Sequence, residues 1–589
     1  MRYLSGRAAP GLSDLCALAV LIGVIAGLGA VGFRLLIGLI QNLLFLGQIG
    51  FVFDANQHTP GSPWGALVIL VPVVGSLLVT FLVTTFAPEA RGHGVPEVMD
   101  AIYYQEGIIR PVVAGVKSIA SALAIGSGAS VGREGPIIQI GASFGSTLGQ
   151  LLPVAPWQRI TLVAAGAGAG IAATFNTPIG GVMFAIELLM PEVSVRTFLP
   201  VALATGTATF TGRFFLGTQP AFIVQLPANP EQASFLLLLL YAALGCLTGI
   251  AATAFVRGLH WSETAFTGIR SSYLRHAVGM LGLGGLIYAL YRAFGHYYVE
   301  GVGYATIQDV LDDRLALPGL LLLLWACKLA ATAVSLGSGS SGGIFSPSLF
   351  MGATLGGALG SCAALLAPDA HVSLPDFAIV GMAAMVGGAT GAAMTAVTMI
   401  FEMTRDYDIV MPMIVAVALS IGIRRLLSRE NIYTIKLVSR RHFIPKAMHA
   451  NMFLVRHASE IMDRDVLVLG AEVPFSLFLK DQQGAALKHI VVYRGDEISG
   501  VLRVNTGLRR GLADAHIGIT LGDVAQSNYI IARAEDTAFD VITHLWREDG
   551  VMAVVVKGDG SPRADTVVGV ISKEHIADSV ADSIKPYAG

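Results

Sequence analysis

The stretch that decides the fold reads Gly126-Ser-Gly-Ala-Ser-Val-Gly-Arg-Glu-Gly-Pro136. It lies between apolar runs in a chain that is 54% hydrophobic and only 13% charged, whereas soluble proteins carry about 25% charged residues. A segment this rich in small residues cannot be an ordinary lipid-facing helix, because irregular backbone at membrane depth needs protein or water around it. The stretch therefore predicts a broken helix that lines a pathway.

The same pattern recurs later in the chain at a constant offset of about 211 residues. The matched positions are Lys117 with Lys328, Gly126 with Gly337, Ser130 with Ser341, Gly132 with Gly343, Pro136 with Pro347, and Gly145 with Gly356. A second block agrees at a similar separation, with Gly92 matching Gly301 and Gly94 matching Gly303, and Glu187 and Glu402, each at the end of an apolar run, make a third pair. Two related membrane halves that are broken at matching places are typical of transporter repeat folds, whose substrate site lies where the breaks meet. From the residues alone, parallel and inverted arrangements of the halves both stay open.

Uncharged apolar runs long enough to cross a bilayer occur repeatedly before about residue 430, for example at 64–86 and 235–255. We therefore predict a polytopic α-helical membrane domain over residues 1–440. A polar, proline-containing stretch near its middle separates two halves, at about 15–217 and 232–440.

The ends of this predicted domain indicate its orientation. The apolar stretch from Leu15 is interrupted by Arg34 and has no cleavage site, which predicts a retained first helix rather than a signal peptide. Lys and Arg cluster over residues 424–446, and the positive-inside tendency places that end in the cytoplasm. We expect a multi-pass protein of the cell inner (plasma) membrane.

Helix N-termini are the predicted anion sites. Pro136 suits the first turn of a new helix, so residues 133–135 would lie where free N–H groups and the helix dipole attract an anion. The segments 342–347 and 92–96 predict two more such N-termini. Close helix packing is the alternative for any one of these glycine-rich segments, but three of them together favour an anion pathway. Helix N-termini bind without a fixed cation that would hold the anion too tightly.

Three motifs resemble the signatures of the CLC chloride channels and transporters. They are Gly132-Arg133-Glu134-Gly135-Pro136, Gly343-Ile344-Phe345-Ser346-Pro347, and the segment 92–96, and their order and separation are as in that family. The resemblance covers about residues 15–440. It implies inverted halves and a homodimer in which each subunit has its own anion path.

The resemblance also implies roles for individual residues. Glu134 is similar to the family's gating glutamate, whose carboxylate competes with the anion. An intramembrane carboxylate is already a functional candidate without the family, although a structural pair with Arg133 stays open for it. Together with the helix N-termini, the resemblance implies an anion site made by His93, Gly94, Arg133, Gly135, Ile344, Phe345 and the hydroxyl of Tyr433.

Two positions depart from the family pattern. The first motif often has serine where this chain has His93, so anion affinity would depend on pH if the imidazole reaches the anion. Alternatively the ring turns away and leaves the backbone to bind. Family exchangers often carry a proton-transferring glutamate at the position of Leu188, and leucine cannot carry a proton. For Glu187 and Glu402 we favour structural hydrogen bonds to nearby helix ends.

Composition changes at about residue 440, and a soluble α/β domain is predicted over 441–589. Strand-like and helical patterns follow one another in two copies, at about 455–510 and 520–580. They resemble a tandem pair of cystathionine-β-synthase-type (CBS) domains, in which Ser/Thr-x-x-Asp after the last strand often binds a ribose. The corresponding runs end at Thr506 and His575 and lack the aspartate. A scaffolding or assembly role for the tail is therefore at least as well supported as a role in nucleotide sensing.

These patterns predict an anion channel gated by Glu134. A chloride/proton antiporter with another proton route, and a membrane-bound ligand sensor whose output is the tail, remain alternatives. The sequence shows no nucleophile with a base, no metal cluster and no phosphate-binding lysine motif, so we expect no enzyme activity, no metal and no cofactor. Chloride would be the bound substrate. The near-neutral net charge favours no nucleic-acid partner, and four cysteines in apolar segments suggest packing.

Overall fold

The structure, a computed structural model, describes residues 10–190, 193–224, 235–366, 372–442, 456–475, 489–503, 518–558 and 561–577. The chain divides into two compact units, Met1–Ile444 and Pro445–Gly589. The first unit is helical, and the second contains all the strands of the described residues.

The first unit begins with eight helices in its N-terminal half. They are α1 (Leu12–Leu46), α2 (Val71–Phe86), α3 (Val95–Tyr104), α4 (Val112–Gly126), α5 (Glu134–Leu151), α6 (Pro156–Phe175), α7 (Pro178–Phe184) and α8 (Val195–Leu216). A 3-10 turn, Gly65–Leu70, leads into α2, and a π-helical turn, Ala185–Leu189, continues α7. The predicted break in residues 126–136 is therefore the connection between α4 and α5.

The second half repeats this order of helices. They are α9 (Phe235–Thr267), α10 (Ser272–Phe294), α11 (Tyr304–Leu311), α12 (Pro318–Ser338), α13 (Phe345–Leu366), α14 (Leu374–Thr390), α15 (Ala393–Thr404) and α16 (Val410–Leu427), followed by the short α17 (Thr434–Ser439). Among the described residues, seven helices of the unit are long and apolar enough to cross a membrane. The prediction of a helical polytopic membrane domain is confirmed.

Equivalent residues of the two halves meet each other. Gly132 and Gly343, which the repeat pairs, exchange both backbone hydrogen bonds as an antiparallel bridge, with N···O distances of 2.8 and 2.6 Å. Two equivalent residues can bond reciprocally in this way when a two-fold axis passes between them. The two halves are thus related by a local two-fold axis where their breaks meet.

Two buried lysines hold equivalent loops. The ammonium of Lys117 donates to the carbonyls of Ala90 and Gly92, at 2.9 and 2.7 Å, just before α3. Its counterpart Lys328 donates to the carbonyls of Val299 and Gly301, at 3.1 and 2.9 Å, just before α11. Both lysines are fully buried. Hydrogen bonds from a charged donor satisfy loop carbonyls that have no helical partner, and they fix the approach of the chain to each helix N-terminus.

Glycine allows the closest helix contacts. A Cβ at Gly141 of α5 would collide with the carbonyl of Gly166 in α6, and a Cβ at Gly166 would collide with the carbonyl of Gly141. Gly352 of α13 and Gly381 of α14 stand in the same relation. Part of the small-residue pattern thus serves helix packing, as the alternative interpretation supposed, while the breaks themselves build the site described below.

The C-terminal unit contains two three-stranded sheets with one shared topology. The first is formed by β1 (Val466–Gly470), β2 (His489–Arg494) and β3 (Glu497–Arg503), and the second by β4 (Tyr529–Arg533), β5 (Met552–Val556) and β6 (Val567–Ser572). In each sheet the first two strands are parallel and the last two antiparallel. The predicted α/β repeat is therefore present.

Short helices accompany these sheets. They are α18 (Ala458–Ile461), α19 (Leu521–Val524) and α20 (Ala538–Arg547). Helix α20 buries one face, with Ala538, Val541 and Leu545 in the core, and is therefore amphipathic. Valines of both sheets, including Val491 and Val554, form one apolar cluster, so the two repeats share a core.

Candidate anion site

Glu134 begins helix α5, and its carboxylate lies against the other half of the membrane unit. The side chain is fully buried. Oε1 accepts a hydrogen bond from the Tyr304 hydroxyl at 2.6 Å and another from the Ser346 hydroxyl. Oε2 accepts from the backbone N–H of Ser346 at 3.2 Å. The carboxylate therefore sits on the N-terminus of α13.

This position is one that an anion would take. The N–H groups in the first turn of a helix have no intrahelical acceptor and attract negative charge. In α13 the carboxylate of Glu134 uses the N–H of Ser346, whereas the N–H groups of Ile344 and Phe345 contact no acceptor within the described part of the chain. A carboxylate and two free donors thus share one helix N-terminus.

Three predicted anion-binding segments converge beside Glu134. A side chain at Gly135 would collide with the carbonyl of His93 and would lie 2.9 Å from the Cα of Gly343. Gly94 has a φ of +82° at the start of α3, a conformation that favours glycine. The breaks before α3, α5 and α13 are therefore packed together, and glycine is required where their backbones approach.

His93 and Tyr433 lie next to each other at this junction. Each is 1% exposed, and their ring centroids are 5.8 Å apart. Nδ1 of His93 has no hydrogen-bond partner in the described chain, and the Tyr433 hydroxyl makes no recorded hydrogen bond there either. Asn431 positions Tyr433, because its Oδ1 accepts the N–H of Tyr433 at 2.9 Å. Both rings can therefore offer a polar atom to a small ligand.

Arg133 does not pair with Glu134. Its guanidinium lies over the ring of Tyr304, 5.3 Å from the centroid, and among the described residues no ion pair joins it to the carboxylate. It lines a cavity of about 180 Å³ with Arg34, Arg213 and Asp54. The structural pair considered for Glu134 is absent from the described residues, and the cavity wall carries more positive than negative charge.

Glu187 and Glu402 cap helices reciprocally. The carboxylate of Glu187 accepts the N–H groups of Met394 and Thr395 at the start of α15, at 3.2 and 2.8 Å. The carboxylate of Glu402 accepts the N–H groups of Ile179 and Gly180 near the start of α7, at 3.1 and 2.7 Å. Each glutamate thus caps a helix of the other half, as the favoured interpretation held. Both oxygens of Glu187 are occupied.

Leu188 offers no group that could carry a proton. Its side chain is half-buried and packs against the apolar core of the membrane unit. Both the side chain and its surroundings are apolar, so nothing at this position replaces the proton-carrying glutamate of the exchanger pattern.

Sequence reasoning missed Tyr304 and Ser346. Ser346 belongs to a quoted motif, but the motif gave no sign that its hydroxyl would reach Glu134. Tyr304 is the first residue of α11 and is equivalent to Val95, the first residue of α3, in the repeat. Helices α5 and α13 begin with Glu134 and Phe345, so Tyr304 alone among these four first residues carries an aromatic hydroxyl. The repeat offset could have drawn attention to it.

The predicted nucleotide positions of the tail are only partly described. Thr506 lies outside the described residues. At the second position the Ser572 hydroxyl lies 3.1 Å from Nδ1 of His575, so the histidine caps the end of β6 where the resemblance would require an aspartate. Nearby, burial and the charge of His575 lower the pKa of His489.

Comparison with known proteins agrees with the fold. The family described as "Voltage gated chloride channel" matches residues 75–425. A protein named ClcB-like from Ralstonia nicotianae is 32% identical over 407 residues, which cover 68% of this chain and 91% of the relative. The "H(+)/Cl(-) exchange transporter ClcA" of Salmonella arizonae is 32% identical over 408 residues, covering 68% of this chain and 82% of the relative.

A solved structure gives the same result for the architecture. The structure titled "X-ray crystal structure of a slow cyanobacterial Cl-/H+ antiporter" has a TM-score of 0.64 and 24% identity, and it covers 74% of this chain and 99% of that one. The geometry defines a class of membrane protein with two related halves of broken helices, whose helix N-termini meet beside Glu134. The chain belongs to the CLC family of voltage-gated chloride channels and related transporters, and it is a multi-pass membrane protein.

Proposed function

We propose that this chain carries chloride or a similar small anion across the membrane, and that Glu134 gates the path. The observation that carries the proposal is the carboxylate of Glu134 on the N-terminus of α13, held by the N–H and hydroxyl of Ser346. A carboxylate in that place excludes an anion by occupying its donors and by charge repulsion. When it is protonated or displaced, the donors become free for the anion.

The anion would bind first beside the released carboxylate and then deeper at the junction of the three segments. There the N–H groups of Ile344 and Phe345, the Tyr433 hydroxyl and the His93 ring are the candidate donors. Gly94 and Gly135 bring the α3 and α5 N-termini close enough to add their dipoles. All these donors carry partial charges, which favours rapid release.

The arginine-lined cavity is the proposed approach to the gate. Arg34, Arg133 and Arg213 give its wall a positive potential that raises the local anion concentration. Arg133 and Tyr304 belong to this wall, and the Tyr304 hydroxyl bonds Glu134. Tyr304 thus connects the cavity wall to the proposed gate, because its hydroxyl bonds the Glu134 carboxylate.

We expect channel-like rather than coupled flux. Leu188 replaces the carboxylate that commonly relays protons, and Glu187 already accepts two N–H groups and the Thr395 hydroxyl. A proton resting on hydrocarbon is prohibitively unstable. The second candidate is chloride/proton exchange with His93 or water as the carrier. The exchange named for ClcA, 32% identical to this chain, favours it.

The oligomeric state of the protein and the location of its tail are also part of the proposal. We propose a homodimer in the inner (plasma) membrane with the 441–589 tail in the cytoplasm. Glu187 is exposed although its carboxylate is fully hydrogen-bonded, which fits a surface that a second subunit covers. The paired three-stranded sheets of the tail support the CBS-type assignment of two repeats, at about 455–510 and 520–580.

Anion efflux from liposomes tests the proposed function. Purified wild type should release chloride with a pH-dependent block, and Glu134→Gln should remove that dependence because the neutral amide cannot compete as an anion. Glu106→Gln is the matched control, since Glu106 is an exposed loop residue of the same unit. Wild-type pH dependence in Glu134→Gln would refute the gate. No flux at all in the wild type would favour the ligand-sensor alternative.

A further inference from the structure

Three side chains of the C-terminal unit lie close together. They are Asp463, before β1, His489, the first residue of β2, and His575, just after β6. One ligand atom from each can be chosen so that all three lie within 4.8 Å of one another. We call this group the tail triad. The first two residues come from the first repeat and His575 from the second.

His489 is the unusual member of the triad. It is 2% exposed, and neither ring nitrogen has a hydrogen-bond partner in the described chain. The backbone holds the ring in place, because His489 pairs with Val466 in β1 and with Arg503 in β3. Buried polar atoms almost always have partners, and leaving one unsatisfied is unfavourable. Nδ1 faces the Asp463 carboxylate at 3.5 Å, which is longer than a good hydrogen bond, and Nε2 has no partner in the described chain, so both nitrogens of this fixed ring are available to a ligand.

The two distances from Asp463 to the histidines suit a metal ion. Asp463 Oδ2 lies 3.5 Å from His489 Nδ1 and 3.3 Å from His575 Nε2. Ligands at about 2.0–2.1 Å from a tetrahedral zinc ion lie roughly 3.3–3.4 Å from one another. The two separations are thus close to the edges of a zinc tetrahedron.

Outer contacts orient two of the ligands. His575 Nδ1 lies 3.1 Å from the Ser572 hydroxyl, which leaves Nε2 directed to the triad. The other oxygen of Asp463 accepts the N–H of Asp465 at 2.9 Å, and the Asp463 backbone pairs with Val570. Such second contacts are usual around metal-binding histidines and carboxylates.

We propose that the tail triad binds one Zn²⁺ or a similar transition-metal ion through two imidazoles and one carboxylate. This donor set suits zinc, whereas magnesium and calcium prefer oxygen ligands alone. Asp463 and His575 are partly exposed, so a water can complete four-fold coordination. The ion joins the two repeats of the tail, because its ligands come from both. The sequence pattern predicted no metal, since the three residues are distant in the chain.

Metal binding is measured on the tag-free full chain in detergent. We expect one Zn²⁺ per chain after dialysis, and a competition titration with a chromophoric chelator gives its affinity. Co²⁺ as a spectroscopic substitute should show the strong visible absorption of four-coordinate sites. Asp463→Asn and His575→Gln should each lower zinc affinity at least about tenfold. His544→Gln, an exposed histidine of the same unit, and His296→Gln, an exposed histidine of the membrane unit, are the matched controls.

The outcomes separate the proposal from its alternatives. Wild type without stoichiometric zinc, or unchanged affinity in His575→Gln, would overturn it and leave a histidine–carboxylate ion pair. Loss of zinc in His296→Gln instead would place the metal elsewhere and also overturn it. Zinc should raise the unfolding temperature of wild type but not of His575→Gln, which separates lost binding from lost folding. None of these measurements depends on anion flux.

Discussion

The Tyr304 hydroxyl donates a hydrogen bond of 2.6 Å to the carboxylate of Glu134, although the two residues belong to different halves of the membrane unit. Both residues begin helices, α11 and α5. The Ser346 hydroxyl lies 2.9 Å from the same tyrosine oxygen and also donates to Glu134. Two hydroxyls and one N–H therefore hold the Glu134 carboxylate on the N-terminus of α13.

Tyr304→Phe should open the gate more often at neutral pH. The variant keeps the aromatic ring under Arg133 but removes one donor to the carboxylate. A hydrogen bond to a charged group contributes about 1.5–3 kcal/mol, so chloride efflux from liposomes should rise roughly tenfold or more. Tyr273→Phe, at an exposed tyrosine of α10, is the control.

A double variant shows whether Tyr304 acts through Glu134. In the Glu134→Gln background the carboxylate is gone, so adding Tyr304→Phe should change efflux little. Equal effects of Tyr304→Phe in both backgrounds would mean that the tyrosine shapes the path independently of Glu134. No effect in either background would mean that the Tyr304–Glu134 hydrogen bond does not restrain the gate.

Reversal potentials should show weak or no proton coupling. With a fixed chloride gradient, an uncoupled path reverses at the chloride equilibrium potential whatever the pH gradient. We expect this result for wild type because Leu188 cannot carry a proton. Leu188→Glu should then introduce a shift with pH gradient, and Leu188→Gln, of similar size without a titratable group, should not. A clear shift in wild type would instead establish exchange.

Glu187→Gln and Glu402→Gln should reduce stability without altering the pH dependence of flux. Each substitution leaves one neutral acceptor in place of two charged ones and turns an NH2 donor toward the second N–H, with an expected loss of roughly 1–3 kcal/mol. Thermal unfolding in detergent measures it, with Glu106→Gln as the control. An altered pH dependence in Glu187→Gln at unchanged stability would point to a proton route through Glu187.

The tail should bind adenine nucleotides weakly or not at all. A ribose hydroxyl would lack its carboxylate acceptor at Thr506 and His575, which removes roughly 1.5–3 kcal/mol, or about tenfold to more than a hundredfold in affinity. Calorimetry of the full chain with ATP and AMP provides the measurement. Micromolar binding would show that another residue takes the place of the aspartate.

The sequence by itself determined the membrane location, the two-fold repeat and the place of each helix break. These features depend on hydropathy, on glycine and proline at fixed spacing, and on chain order, all of which are local properties of the chain. The repeat offset paired Gly132 with Gly343 and Lys117 with Lys328, and the structure gives each pair equivalent contacts. Even the helix-capping role of Glu402 followed from its position at the end of an apolar run.

Only the tertiary structure decided which side chains meet across the halves and across the tail repeats. Arg133 neighbours Glu134 in sequence yet stacks on Tyr304, while the Glu134 carboxylate reaches Ser346 in the other half. His489 and His575 meet because two separate sheets share one core. A hydrogen bond between distant residues depends on how whole helices and sheets pack, since packing sets the final ångströms of separation, and no local pattern contains that information.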